Sequence, residues 1–235
     1  MSEQHSRTEM MLGEDGLLRL RSASVAVFGI GGVGGFAVEA LARSGVGELH
    51  LIDSDKVVLS NINRQIIATH ATVGEYKTLA ARERIASINP EAKVYTYELF
   101  FDKSTRAEFD FSRFDYIIDA IDSLSAKVEL IATAKECGVP IISAMGAGNK
   151  LDPTAFEVSD IAKTSVCPLA RAVRVALRKR DIHHLKVVYS KEPPHRQPTE
   201  RGDGERTPPG SISFVPSVMG LILAGEVIKD IAIKE

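Results

Sequence analysis

The stretch from Ser24 to Asp55, SVAVFGIGGVGGFAVEALARSGVGELHLIDSD, constrains this chain more than any other. Val25, Val27 and Phe28 open an apolar run that reads as a buried strand. The chain then turns through Gly29-Ile30-Gly31-Gly32-Val33-Gly34. Phe36, Ala37, Ala40 and Leu41 follow at spacings that share one helix face. A second strand, Glu48 to Ile52, ends at Asp53, nineteen residues after Gly34. Strand, glycine turn, helix, strand and acid occur in the order of a nucleotide-binding βαβ unit. Gly29 can adopt angles that a Cβ forbids, Gly31 lets the main chain approach a phosphate, and Gly34 lets the helix lie on the strand. The helix start offers unpaired N–H groups to phosphate, and Asp53 would accept from ribose hydroxyls. The fingerprint leaves NAD, FAD and ATP open.

Strand and helix patterns alternate through the first two thirds of the chain. Residues 1–22 carry a short helical pattern. Thr72-Val-Gly-Glu75 has the form of a capping box, predicting a helix from there to about Ile88, where Asn89-Pro90 closes it. Lys93 to Leu99 alternates as a strand, and Phe114 to Asp122 is nearly continuous in apolar residues, as a central parallel strand requires. A helix from about Leu124 to Glu136 is closed by Gly138, and a strand follows from Val139 to Ala144. These alternations predict an α/β, Rossmann-like doubly wound sheet, mostly parallel, with its core over about 22–150. Beyond 150, strands at Thr154–Val158 and Leu185–Tyr189 flank a helix from about Pro168 to Arg180, an antiparallel C-terminal extension that would bind substrate. Residues 191–210, rich in proline and charge, read as a mobile loop. Ser211–Phe214 reads as a last strand, and Pro216–Ile233 as a buried helix. One domain over 1–235 is expected.

Several residues stand out for chemistry. Asn61, Asn63, Arg64 and Gln65 follow Asp53 in a segment where an NAD enzyme has no need of them; a guanidinium beside amides suits a triphosphate. A solvated loop is the competing reading from composition alone. Lys77 could neutralise a phosphate, although alone it reads as a surface lysine. Asp119 and Asp122 end a strand whose carboxyl end should line the ligand crevice, where an Asp would hold Mg²⁺ or orient an attacking group; Asp122 could equally cap the next helix.

Taken in order, GIGGVG, LIDSD, LSNINRQ, VGEYK and DAIDS resemble the ATP-binding domain of ubiquitin-activating-type adenylating enzymes, over about residues 5–150. The resemblance implies that Gly29, Gly31, Gly32 and Gly34 cradle ATP and that Asp53 holds the ribose. It also implies that Asn61, Asn63, Arg64 and Lys77 contact ribose or phosphates, and that Asp122 attends Mg²⁺ and the α-phosphate. Gln65, Asp55 from LIDSD and Ser123 from DAIDS join that set. Arg7, in SRTEMMLG, would reach the nucleotide of a partner subunit, making a homodimer part of the mechanism.

The second half separates the subfamilies. The chain has two cysteines, Cys137 and Cys167, so the paired CxxC zinc site of sulfur-carrier adenylyltransferases is missing. No cysteine lies in 181–210 to form a thioester, and Cys167 reads as structural. AMGAGNKLDP and SDIAKTSVCPLARAVR instead resemble the bacterial tRNA threonylcarbamoyladenosine dehydratases, although PGSISFVPSV stands here where longer members carry a cysteine-bearing segment. That resemblance implies ATP-dependent cyclisation of a modified adenosine beside the anticodon. Arg171, Arg174 and Arg178 fall at i, i+3 and i+7 of the expected helix, with Lys179 and Arg180 at its end. They form a basic stripe able to grip RNA phosphates despite a net charge of −2, or simply a solvated face. Adenylation of a ubiquitin-fold sulfur carrier and an NAD-binding protein are the competing readings. A sulfur-transfer partner is carried only by the wider family. The polar N-terminus lacks a signal-peptide core and no apolar run would cross a bilayer, so a cytoplasmic location is expected.

Overall fold

The computed structural model describes residues 3–195 and 209–233. Seven strands form one sheet: β1 Ser24–Phe28, β2 Glu48–Ile52, β3 Lys93–Tyr97, β4 Tyr116–Asp119, β5 Ile141–Ala144, β6 Phe156–Asp160 and β7 Lys186–Ser190. Their spatial order is β3-β2-β1-β4-β5-β7-β6. Every pairing is parallel except that of β6 with β7 at one edge, so the doubly wound sheet and its antiparallel extension are as the sequence predicts. Chain order reverses between β1 and β4, which opens a crevice beyond their carboxyl ends.

All five residues of β1 are buried, and the period of two sends them to opposite layers. Val25 and Val27 pack with α2 Gly34–Arg43, α3 Lys77–Ile88 and the C-terminal α6 Phe214–Ala232. Ala26 and Phe28 pack under α4 Leu124–Glu136 and α5 Pro168–Arg178, with Phe101, Phe109 and Phe111 around the Phe28 ring. The N-terminal helix, α1 Ser6–Ser22, kinks at Gly13 and joins the α6 layer through Leu20. Burying each such Val, Leu or Phe contributes about 1.5–3 kcal/mol.

Three expectations fail. Thr72 starts no helix: its Oγ1 donates to the Ile67 carbonyl and accepts the Thr69 N–H, while Gly74 sits at φ 95°, outside helical angles. Residues 74–77 instead bond back onto the strip after β2: Gly74 N–H donates to Val57, Val57 N–H to Glu75, and Lys77 N–H to Asp55. That pairing delays α3 to Lys77. Ser211–Phe214 forms no strand, because Phe214 already opens α6. The α5 helix stops at Arg178, leaving Arg180 beyond its end. The loop expected at 191–210 falls largely outside the described residues.

One buried histidine ties acid stability to the sheet edge. His50 stacks on Tyr95 and bonds Glu48 through Nε2 at 2.9 Å and the Tyr97 hydroxyl through Nδ1 at 3.1 Å. Burial holds its pKa below the ordinary value, against the opposing pull of Glu48. The unfolded chain therefore takes up a proton that the folded one resists, so this contribution is complete above about pH 6.5 and is lost as pH falls below it. His50→Phe is expected to lose less thermal stability than the parent between about pH 7 and 5.5, by at most about 1.4 kcal/mol per pH unit. Equal losses in differential scanning fluorimetry would place the acid sensitivity elsewhere.

Candidate nucleotide site and basic helix

The crevice is lined first by the glycine turn. Gly29 has φ 89°, and a Cβ there would lie 2.7 Å from the Ala120 carbonyl oxygen. A Cβ on Gly34 would lie 1.7 Å from the Gly29 oxygen, so glycine alone lets α2 start against the turn. At Gly31 the nearest outside atom that a Cβ would meet is Gln65 Nε2 at 3.8 Å, which leaves the lip open. Gln65 itself is buried, with its Oε1 unbonded among the described residues. An open backbone lip beside an orphaned amide is what a polar ligand would complete.

Asp53 turns back toward this lip. Its Oδ2 accepts the Ile30 N–H at 2.7 Å and its Oδ1 the Asp55 N–H at 2.8 Å. Burial raises its pKa, opposed by the charge of Lys77. Lys77 is buried too, with Nζ 2.7 Å from Asp55 Oδ2 and 3.7 Å from Asp53 Oδ2. The backbone pairing that delays α3 therefore puts the lysine at the crevice. Arg64 Nη1 donates to Ser60 O at 2.9 Å and Asn63 Oδ1 at 2.8 Å. Asn63 is exposed and donates to Ser211 O at 3.0 Å, whereas Asn61 is buried and spends its Oδ1 on the Val58 N–H. Asn61 thus shapes the loop in this structure. Asp122 is exposed just past β4, and Ser123 opens α4 with its Oγ 3.2 Å from Ser125 Oγ.

Asp119 needs correcting. It is fully buried and paired with Lys127 at 2.7 Å, so it does not line the crevice. Its register places it between Phe28 and Ser143, inside the sheet, where an ionised carboxylate must be paired. The C-terminal segment is the part of the site that sequence reasoning misses. A Cβ on Gly32 would lie 3.3 Å from Pro216, and Ser211 holds Asn63. No local pattern announces contacts made across some 150 residues of chain.

Arg7 stands elsewhere. It is exposed, two residues after His5, whose ring meets Gly45 at the amino ends of the strands. The basic stripe is divided. Arg174 Nη1 bonds the Thr164 hydroxyl at 2.6 Å and the carbonyls of Thr164 and Ile161, and Arg180 pairs with Glu129 at 2.9 Å. Both are held by the protein in this structure. Arg171, Arg178 and Lys179 are exposed. Arg171 and Lys179 rim a groove of about 920 Å³ between α4 and α5, floored by Leu124, Val128 and Val175 and reaching Cys167. Cys167 is buried, and a Cβ on Gly146 would lie 3.5 Å from its Sγ.

Comparison with known proteins places these features in a family. The family model described as "ThiF family" matches residues 5–234. The chain is 44% identical to tRNA threonylcarbamoyladenosine dehydratase of Bacillus subtilis over 98% of its own length and 95% of that protein's. It is 42% identical to the Escherichia coli enzyme of the same name over 73% of this chain, a match spanning 64% of that relative. The crystal structure of the Escherichia coli enzyme in complex with ATP superposes with a TM-score of 0.88 at 34% identity, covering 97% of this chain and 93% of that one. With its glycine turn, acid-ended second strand and end-to-end similarity, the chain belongs to the ThiF family.

Proposed function

We propose that the chain is an ATP-dependent tRNA threonylcarbamoyladenosine dehydratase. The observation that carries this reading is the convergence of Gly31, Asp53, Lys77 and the Asp122 loop on one crevice, in a chain similar along almost its whole length to the Bacillus subtilis enzyme of that name. Carboxylate oxygen is a poor leaving group, so ring closure needs activation. The substrate carboxylate attacks the α-phosphorus of ATP, forming an acyl-adenylate and releasing pyrophosphate. The neighbouring carbamoyl group then attacks the acyl carbon, and AMP leaves as the ring closes. The glycine turn would seat the phosphates and Asp53 the ribose, while Lys77 and Arg64 would meet the charge that builds in the transition state. Lys77 can serve phosphate by releasing exposed Asp55 while staying near Asp53.

Magnesium belongs to the same reading: the exposed carboxylate of Asp122 is the hard oxygen ligand such an ion prefers beside phosphates. So does the homodimer: Arg7 is exposed two residues after His5, which packs beside Gly45 at the amino ends of the strands, and on this reading it would act on a second copy's nucleotide. A cytoplasmic location follows from the tRNA substrate, and among the described residues no helix is long and apolar enough to cross a membrane. Incubation with ATP, Mg²⁺ and total tRNA, followed by mass spectrometry of nucleosides, is expected to show loss of one water from the modified adenosine. An unchanged nucleoside, with pyrophosphate exchange driven instead by a ubiquitin-fold carrier, would favour the sulfur-carrier reading; tight binding of NAD without ATP would overturn both.

The groove between α4 and α5 begins at Leu124, next to Ser123, and would place RNA phosphates along Arg171 and Lys179, with Arg178 exposed on the same helix outside the groove. Replacing these three by Ala is expected to reduce the slope of log affinity against log salt by about one per residue, with little change in melting temperature. Arg174→Ala should act differently, lowering the melting temperature because it strips three bonds from the Ile161–Thr164 turn. An unchanged salt slope in filter binding would remove the stripe from the tRNA path.

A further inference from the structure

At the foot of the Asp122 loop, three side chains outside the crevice form a closed group. Asp119 ends β4, Lys127 lies in the first turn of α4, and Ser143 sits in β5; all three are fully buried. Lys127 Nζ donates to Asp119 Oδ2 at 2.7 Å and to Ser143 Oγ at 3.3 Å. The Ser143 hydroxyl donates to the same Asp119 oxygen at 2.5 Å. Removing two charges from water usually costs as much as their attraction returns, and apolar residues of similar volume would hold the fold as well. Stability therefore gives little reason for this group, and its connections give a better one.

Asp119 Oδ1 accepts the N–H of Ile121, the residue before Asp122, at 3.1 Å. Lys127 ties α4 to the other oxygen of the same carboxylate, and its own N–H donates to the carbonyl of Ser123, the residue after Asp122. Asp122 is thus anchored on both sides to one buried carboxylate. Just before Ile121, the Ala120 carbonyl lies so close to the glycine turn that a Cβ on Gly29 would sit 2.7 Å from it. The same anchor sets the spacing between the Asp122 loop and the turn that would hold phosphate. Ser143 extends the restraint to the neighbouring strand, with which Asp119 is in register.

We propose that Asp119, Lys127 and Ser143 are positioning residues that hold Asp122 at its working distance from the glycine turn. This rests on the role given to Asp122 above. A displacement of about 1 Å in an acting group lowers turnover about 100-fold while leaving binding by the rest of the site in place.

The test uses the full chain and three variants: Asp119→Leu/Lys127→Met, which removes both charges at similar volume, Ser143→Ala, and Asp122→Ala as reference. Melting temperature, ATP affinity, kcat, KM for tRNA and the half-saturating Mg²⁺ concentration are measured for each. The double variant is expected to fold and to keep ATP affinity and KM within about threefold. Its kcat should fall about 30-fold or more, and its Mg²⁺ requirement should rise at least about threefold. Ser143→Ala should shift the same two quantities in the same direction, by about three- to tenfold. If the double variant does not fold, Ser143→Ala decides alone. A folded variant with kcat and Mg²⁺ requirement within about twofold of the parent overturns the proposal, as does a fall in kcat matched by equal loss of ATP binding. Loss of turnover in Asp122→Ala with none in the others defeats the positioning role only; unimpaired Asp122→Ala defeats the assignment of Asp122 and this inference with it.

Discussion

Asp122→Ala is expected to lower turnover by about 100- to 1,000-fold while ATP affinity changes by less than about threefold. The asymmetry follows from where the carboxylate stands. It is exposed on the loop past β4 and carries none of the core, so its removal leaves no cavity and no buried partner unpaired. The glycine turn, Asp53 and Lys77 come from β1, β2 and α3, and none of their bonds passes through Asp122. Binding should survive. On the proposed role, what would disappear is stabilisation of charge as pyrophosphate leaves the α-phosphorus, which is worth little until the transition state forms. Calorimetric titration with ATP and single-turnover release of pyrophosphate separate the two. Near-normal ring closure would remove Asp122 from the reaction.

Gly34→Ala should act the other way, through the frame rather than the chemistry. Its Cβ would lie 1.7 Å from a backbone oxygen of Gly29, which no rotamer change relieves. Either α2 moves off the turn or the turn moves into the crevice. Overpacking of this kind costs about 1–3 kcal/mol or more, which is about 2–4 °C of melting temperature for each kcal/mol in a chain of this size. Because the displaced atoms belong to the turn proposed to hold phosphate, ATP binding is expected to fall by about 100-fold in the protein that remains folded, a loss of about 2.7 kcal/mol. A variant with parental melting temperature and parental ATP affinity would show that α2 does not need this close approach.

The difference between these two variants follows how much of the site is local in sequence. Gly29 to Asp53 announces itself because each part sits within one βαβ unit, where spacing alone determines which residues meet. The helix Leu124–Glu136 is equally plain, bounded by its apolar run and by Gly138, which adopts φ 70°. Lys77 is a different case. VGEYK reads as the first turn of a helix, yet backbone bonds to Asp55 and Val57 pull residues 74–77 into an extended pairing and place the lysine between two carboxylates. The energy of that pairing comes from a strip some twenty residues earlier, which no capping rule consults. Asp119 misleads for a related reason. Two aspartates at the end of one strand look alike in the chain, and only the sheet register and Lys127 show that one is inside and the other out.

The basic helix shows the same division. Spacing correctly puts Val173 and Leu177 on the buried side, with Arg171 and Arg178 exposed opposite them. It could not tell that Arg174 would be spent on the Thr164 turn or Arg180 on Glu129, since both partners come from other elements. By itself, then, the sequence determined the doubly wound sheet, the glycine turn with its acid, the family, and the candidate residues, because periodicity and short-range spacing act within single units of structure. The tertiary structure alone decided which charges face the crevice, which are spent inside the protein, and how the C-terminal segment reaches Gly32 and Asn63. The physical reason is that a charge's role depends on which partner meets it first, and those partners are brought in by folding from far along the chain.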